Sequence, residues 1–336
     1  MPYTTDGLND LVARHASEAL ALEQQTANTA VGGADVAAAA LVRRVLTAWA
    51  RAFGGPDEEA ADRSMLRRLL ASARAAVRRI LDALADRAAA AFSRVLTQAV
   101  ALGVRQAGEA IAAASGRTRR TSAATPSREL IDAVGRVTAL VRERRDRALA
   151  LLRPERVSRW SHALTGLGAV TAAVSAVRGQ AALVVHSGIN DGIRAVADAV
   201  GLGRLWITEA DACVNCLAYA GRAVAVGESF PGGLSWDPRQ RRIGAAAVAG
   251  PPLHPHCRCR TIPWSARWAA SGVPFPEALR REAERAVGYG QRRPSESGAA
   301  RVRAARELLR TVDDLLPAVE ARARTAVRTG RFPTAA

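Results

Sequence analysis

The chain holds four cysteines, and they fall in two tight pairs, Cys213-Val214-Asn215-Cys216 and Cys257-Arg258-Cys259. The second pair is introduced by Pro251-Pro252-Leu253-His254-Pro255-His256. Thiolate and imidazole are the ligands zinc prefers, and a tetrahedral site needs short chelating arms that bring sulfur to about 2.3 Å from the ion. In Cys-x-x-Cys a turn can aim both sulfurs at one point. In Cys-x-Cys an extended segment places residues i and i+2 on one face, which would send Arg258 and Arg260 the other way. His254 lies three residues before Cys257, near enough to replace one sulfur. The spacing predicts Cys213, Cys216, Cys257 and Cys259 as metal ligands, with His254 as the alternative ligand and zinc as the ion. Two disulfides or reduced structural thiols are the competing outcomes. A redox pair is disfavoured, because nothing around Cys213 has the βαβ context of a thioredoxin-like motif. The opening Met1-Pro2-Tyr3-Thr4-Thr5-Asp6 has neither a basic start nor an apolar stretch. No signal peptide is expected there, and a reducing compartment at synthesis favours thiolates over bridges.

Catalytic uses of such a metal leave their own marks. Zinc deaminases place His-x-Glu ahead of Pro-Cys-x-x-Cys, and metalloproteases carry His-Glu-x-x-His; neither string occurs. A nuclease would need a histidine base beside an open metal position, a part that His256 or His254 could play. Four protein ligands close the site to water, so the expected role of the metal is structural and no enzyme activity is expected. His15, His162 and His186 are isolated, and Glu209, Asp211 and Glu228 are not paired for acid-base work. Gly201-Leu202-Gly203 is too slight for a phosphate loop, and Trp206 and Trp264 are expected to pack the cysteine segment against helices.

Trp206-Ile207-Thr208, Asp211-Ala212-Cys213-Val214-Asn215-Cys216, Leu217 to Gly221 and Pro251 to Cys259 together resemble the minor head proteins of tailed bacteriophages, the Mu F-like or phage head morphogenesis family. The most specific string is His254-Pro255-His256-Cys257-Arg258-Cys259. Weaker agreement extends to Val273-Pro274-Phe275-Pro276 and to Ala278-Leu279-Arg280-Arg281-Glu282-Ala283. Family members often carry an Arg-Thr-Glu-like helix upstream; here the stretch reads Val185-His186-Ser187-Gly188-Ile189-Asn190, of which Asn190 alone is retained. The resemblance implies a structural protein of a phage or prophage. It would act in procapsid and head assembly near the portal, with the portal protein and other head proteins as partners. Packaged double-stranded DNA is a further expected contact. No small-molecule substrate and no membrane partner are expected. The implied location is the interior of the virion head, with the host cytoplasm during assembly.

Composition bounds what must position these residues. Hydrophobic residues make up 49% of the 336 positions, a count inflated by alanine, and aromatics only 4%. That suits closely spaced helices better than a β-sandwich. The formal net charge is +17, and all 48 Lys+Arg positions are arginine. Such a field attracts nucleic acid or acidic surfaces, although the absence of lysine also matches GC-rich coding.

The expected fold class is mainly α, a long-helix body with a small α+β, zinc-knuckle-like module near residues 204–265. Along the chain the segments are an N-terminal helical region (1–114), a linker (115–127), a central helical region (128–203), the Mu F-like cysteine module (204–265) and a C-terminal helical tail (266–336). Helix is expected over 7–53 with a break at Gly32-Gly33, and Asp57 is a plausible cap for a long helix from Glu58. Leu66, Leu70, Ala73, Val77, Ile80, Leu84, Ala88, Ala91 and Val95 mark one face of that helix, with Arg67, Arg68, Arg74, Arg78, Arg79 and Arg87 off it. The linker is read from its turn formers and arginines, and Pro126 suits a first helical position. Leu130, Val134, Val137 and Val141 continue the helical period, and Arg142 to Arg147 suggests a salt-bridged face. Two further helices are expected over 155–177 and 179–200. The uncharged run Trp160 to Val177 is too short and polar to span a bilayer. Short extended pieces are expected at 205–208, 223–226 and 258–263, and a loop with Arg239, Arg241 and Arg242 at 232–250. Helices return at 276–288 and 297–327, where Pro317 interrupts.

Overall fold

The computed structural model describes residues 5–55, 58–117, 124–209, 211–270, 275–290 and 296–332. Met1 to Thr4, the Asp57 cap, the linker core at 118–123 and the Val273-Pro274 match lie outside the described residues. The fold is mainly helical, with a small three-stranded sheet near the cysteines. Helix α1 spans Thr5–Val31 and α2 Ala34–Phe53. Gly33 between them is left-handed at φ 78°, a conformation that glycine adopts without steric cost. Helix α3 runs over Arg63–Ser115. It starts later than Glu58, because the Asp62 carboxylate accepts from the Ser64 and Met65 amides, at 2.8 and 3.0 Å, and so caps the first turn. Along it the expected stripe is buried except for Ile80, which is half-exposed, while its neighbour Leu81 is buried.

Helix α4 covers Arg128–Leu151, and Ser127, not Pro126, begins it, accepting from the Leu130 amide. Its buried face is Leu130, Val134, Val137, Val141 and Ala148. The charged run behaves as expected at Arg145, which pairs with Asp82 (2.6 Å) and Asp146 (3.0 Å). Helix α5 is a single 40-residue helix, Trp160–Ala199, where two were expected. A helical glycine costs only about 1 kcal/mol relative to alanine, and buried Val177, Ala181 and Ala182 on either side of Gly179 outweigh it. Among the described residues α5 is the one helix long and apolar enough to cross a membrane by length and composition; half of its most apolar window is buried.

The cysteine segment follows as β1 (Gly203–Ile207), the short α6 (Val214–Leu217), β2 (Ala223–Val224) and β3 (Arg260–Trp264). The sheet is antiparallel in the order β2-β1-β3, with Leu205 opposite Ala223 and Ile262. Helices α7 (Ala266–Ala270), α8 (Phe275–Tyr289), α9 (Gly298–Thr311) and α10 (Pro317–Thr329) complete the chain, with Pro317 in the first turn of α10.

The chain divides into two compact units that cut across the segment boundaries read from the sequence. One comprises residues 20–98 and 127–185 and is all helical, with Trp49 buried against Phe53 and Trp160 at ring distances of 4.8 and 6.2 Å. The other comprises 1–19, 99–126 and 186–336. Within it the period-two alternation of β1 serves two cores. Leu205 and Ile207 join Ile262, Trp264, Leu8, Leu11 and Ala110, whereas Trp206 joins the cysteines. Trp206 therefore packs the cysteine segment as expected, and Trp264 lies in the neighbouring core.

Candidate metal centre

The first arm is a helical turn. Cys213 sits at the N-cap of α6 with extended backbone (φ −73°, ψ 164°), and its carbonyl accepts from the Leu217 amide at 2.9 Å. The turn places Cys216 one step below Cys213, buried, with Trp206 stacked on Tyr219 at 4.5 Å and meeting Phe230 edge-on at 5.0 Å in the same core. Cys213 itself is only partly buried.

The second arm reverses direction before it reaches the sheet. His256 has a positive φ of 64°, rare for a non-glycine residue, and the Cys257 amide donates to the His254 carbonyl across this bend (3.0 Å). Cys257 and Cys259 precede β3 and are both buried. Asn190 on α5 anchors them. Its amide nitrogen donates to the Cys259 carbonyl (3.3 Å), and its oxygen accepts from the Thr261 backbone (2.8 Å). Arg258 and Arg260 point elsewhere, Arg258 to Asp211 (3.6 Å) and Arg260 to Glu209 (3.3 Å) and the Val12 carbonyl (2.7 Å).

The two arms meet. Cys216 Sγ lies 3.6 Å from Cys257 Sγ and 3.6 Å from His254 Nε2, and Cys213 Sγ lies 3.2 Å from the same nitrogen. A tetrahedral ion with metal–sulfur bonds of about 2.3 Å and a metal–nitrogen bond of about 2.1 Å sets ligand atoms roughly 3.6 to 3.8 Å apart. The two contacts of Cys216 match such an edge and the Cys213–His254 contact is shorter; the donors are close enough for the cluster to hold a metal ion. The donors form two overlapping triads, Cys213, Cys216, His254 and Cys216, Cys257, Cys259, each with its ligand atoms within 4.8 Å of one another. Cys216 belongs to both. His254 thus stands among the donors beside Cys213 and Cys216, and its Nδ1 is 2.8 Å from the Pro255 carbonyl. A proton donated there leaves Nε2 as the atom aimed at the sulfurs. All four cysteines are free thiols. His256 is exposed and belongs to neither triad.

Crowding shifts the ionisation of these groups. The Cys213 thiol is pulled down to about 4, first by its hydrogen bond with Cys216 and further by His254, and His254 is raised to about 9, chiefly by Cys213. Cys257 is lowered by Cys216 and Cys259. Cys216 is raised, first by Cys213 and then by Cys257. Cys259, despite its hydrogen bond with Cys216, is raised by Cys257 and by burial. Several thiolates cannot be accommodated together in so small a buried space unless a cation compensates them.

Below the first arm lie groups that sequence inspection passed over. Glu296 accepts from the Val214 amide at 3.0 Å and pairs with Arg301 at 2.7 Å. Burial raises the Glu296 carboxyl and lowers the Arg301 guanidinium, each moderated by the other's charge. Nothing local marks them, since 82 residues separate Glu296 from Val214. Asn190 drew notice only through the resemblance read from the sequence; its bonds to the second arm are a tertiary fact.

Comparison with known proteins identifies no family for the chain: no family model, curated protein or solved structure matches it.

Proposed function

We propose that the cluster binds one zinc ion, that the metal is structural, and that the protein is a minor head protein of a tailed phage or prophage. In this reading it works in procapsid and head assembly near the portal, and its arginine-rich surface contacts packaged DNA. The observation that carries the metal reading is the convergence of Cys-x-x-Cys and Cys-x-Cys, with His254, on one cluster of donors joined through Cys216. Zinc is favoured over other first-row metals by a thiolate-rich set with one imidazole. Cys213, Cys216 and Cys257 would hold the ion, with His254 or Cys259 as the fourth ligand. The metal would neutralise the thiolates and tie a loop-rich segment together, taking the place of apolar burial. The virion reading rests on the resemblance of residues 206–259 to Mu F-like proteins, whose two cysteine motifs are the ones that meet here.

Metal analysis of purified protein is expected to give about one zinc per chain, consistent with a four-ligand site. Cys216→Ser removes the donor common to both triads and is expected to lower metal content and thermal stability more than His254→Ala or Cys259→Ser does. Metal-free protein of full stability sinks the metal reading. Incubation with DNA and divalent ions is expected to leave the DNA intact. Cutting that depends on His256 would instead make the protein a metal-dependent nuclease.

A further inference from the structure

Cys213 is bracketed by one buried ion pair. Arg301, on the second turn of α9, has a side chain that is 0% exposed, and Glu296, just before the helix, is 6% exposed. Glu296 Oε1 accepts from the amide of Val214, immediately after Cys213. Arg301 Nη2 donates to the carbonyl of Ala212, immediately before it, at 3.4 Å, and Nη1 donates to the Ala286 carbonyl on α8 at 3.3 Å. The pair therefore grips the backbone on both sides of the ligand residue and ties it to two C-terminal helices. Burying two charges is costly, and apolar residues of similar volume would usually stabilise a fold as well or better. An ion pair kept in such a place is suited to fixing direction.

From this arrangement we infer that Glu296 and Arg301 are positioning residues of the metal centre: they set the aim of the Cys213 sulfur, and metal affinity depends on the docking of α9. The inference rests on the metal reading above. Outer partners of this kind hold a ligand at its bonding angle, and their loss typically weakens metal affinity about 10- to 100-fold. The first arm has a particular need for them. Cys213 is the least buried of the four cysteines, and its four-residue helix α6 is too short to be rigid by itself.

The same helix supplies a control. Arg310, near the end of α9, pairs with Glu307 on its own helix through hydrogen bonds of 3.1 and 2.7 Å. Replacing it also takes a partner from a buried carboxylate, one whose side-chain bonds run to Arg310 and Arg241 and not to the backbone beside Cys213.

The test is metal affinity of the full-length protein by chelator competition with zinc, together with the thiolate charge-transfer spectrum of the cobalt-loaded form. Arg301→Met is expected to weaken zinc binding about 10- to 100-fold and to reduce the cobalt–thiolate band, while Arg310→Met keeps wild-type affinity and spectrum even where its melting temperature falls. If Arg301→Met does not fold, Glu296→Gln and Glu296→Ala decide. Glutamine keeps an acceptor for the Val214 amide and is expected to retain more affinity than alanine. Folded variants at 301 and 296 that bind zinc like wild type overturn the inference, as does an equal loss in Arg310→Met. Wild-type protein that binds no metal overturns the metal reading itself, a separate result.

Discussion

Single residues carry chemistry that their types announce and partners that their types conceal. The cysteines were legible because sulfur ligands are scarce and their spacing is local, and His254 was legible as a nearby substitute. His15 was not. Read as isolated, it is 1% exposed with Nε2 at 3.0 Å from Glu109, which itself accepts from Arg105 at 2.7 Å. Desolvation by burial lowers its ionisation below the ordinary 6.5, although the carboxylates of Glu109 and Glu18 pull the other way and Arg260 adds to the lowering. A histidine lowered in the folded state is neutral there while the unfolded chain takes up the proton. Its contribution is therefore intact above about pH 6.5 and is lost as pH falls through the folded value. Melting temperature is expected to drop as pH is lowered below about 6.5, and His15→Gln is expected to flatten that limb. A wild-type limb with the same slope as the variant's would show that His15 does not titrate on folding.

Elements follow the same division. The helical period of α3 and α4 was plain from the sequence, and their buried stripes lie where the spacing put them, except at Ile80. Ends and continuity were less plain. The break expected at residue 178 gave way to burial along α5, and the Ser127 cap displaced the helix start expected at Pro126 by two positions. Glycines inside helices had a further use that no local rule gives. Between residues 99–104 of α3 and 188–192 of α5 the backbones approach so closely that a Cβ on Gly103 would overlap the Ile189 carbonyl, and one on Gly192 the Val100 carbonyl. The glycines at 188 and 192 are one turn apart and so face the same side. Gly103→Ala, though favourable for an isolated helix, is expected to destabilise the protein by about 1 to 3 kcal/mol through overpacking. A denaturant midpoint equal to or above wild type would refute the close crossing.

At the scale of the whole molecule, charge and core organisation matter most. A net charge of +17 built wholly from arginine is large for 336 residues. Part of it is spent internally, as at Arg204, Arg260 and Arg301, which are buried. Much of it is exposed along α3, at Arg67, Arg68, Arg78, Arg79 and Arg87. If these exposed arginines meet phosphates, affinity for duplex DNA should fall steeply with salt, losing about three orders of magnitude or more between roughly 50 and 200 mM for six or more contacts. Binding that is absent at low salt would leave the charge as a solvated surface. The C-terminal helices, read from sequence as a tail, share one core with the cysteines: Ala283, Ala286, Val287, Ala304, Leu308 and Val319 lie with Cys216, Cys257 and Cys259. The sequence by itself determined the helical class, the stripes that build it and the two candidate arms, because periodicity and ligand type are properties of short windows. Only tertiary structure decided that arms 41 residues apart converge with His254 among them, and that Asn190, Glu296 and Arg301 hold them. Those placements depend on the path of loops and the packing of distant helices, which no short window encodes.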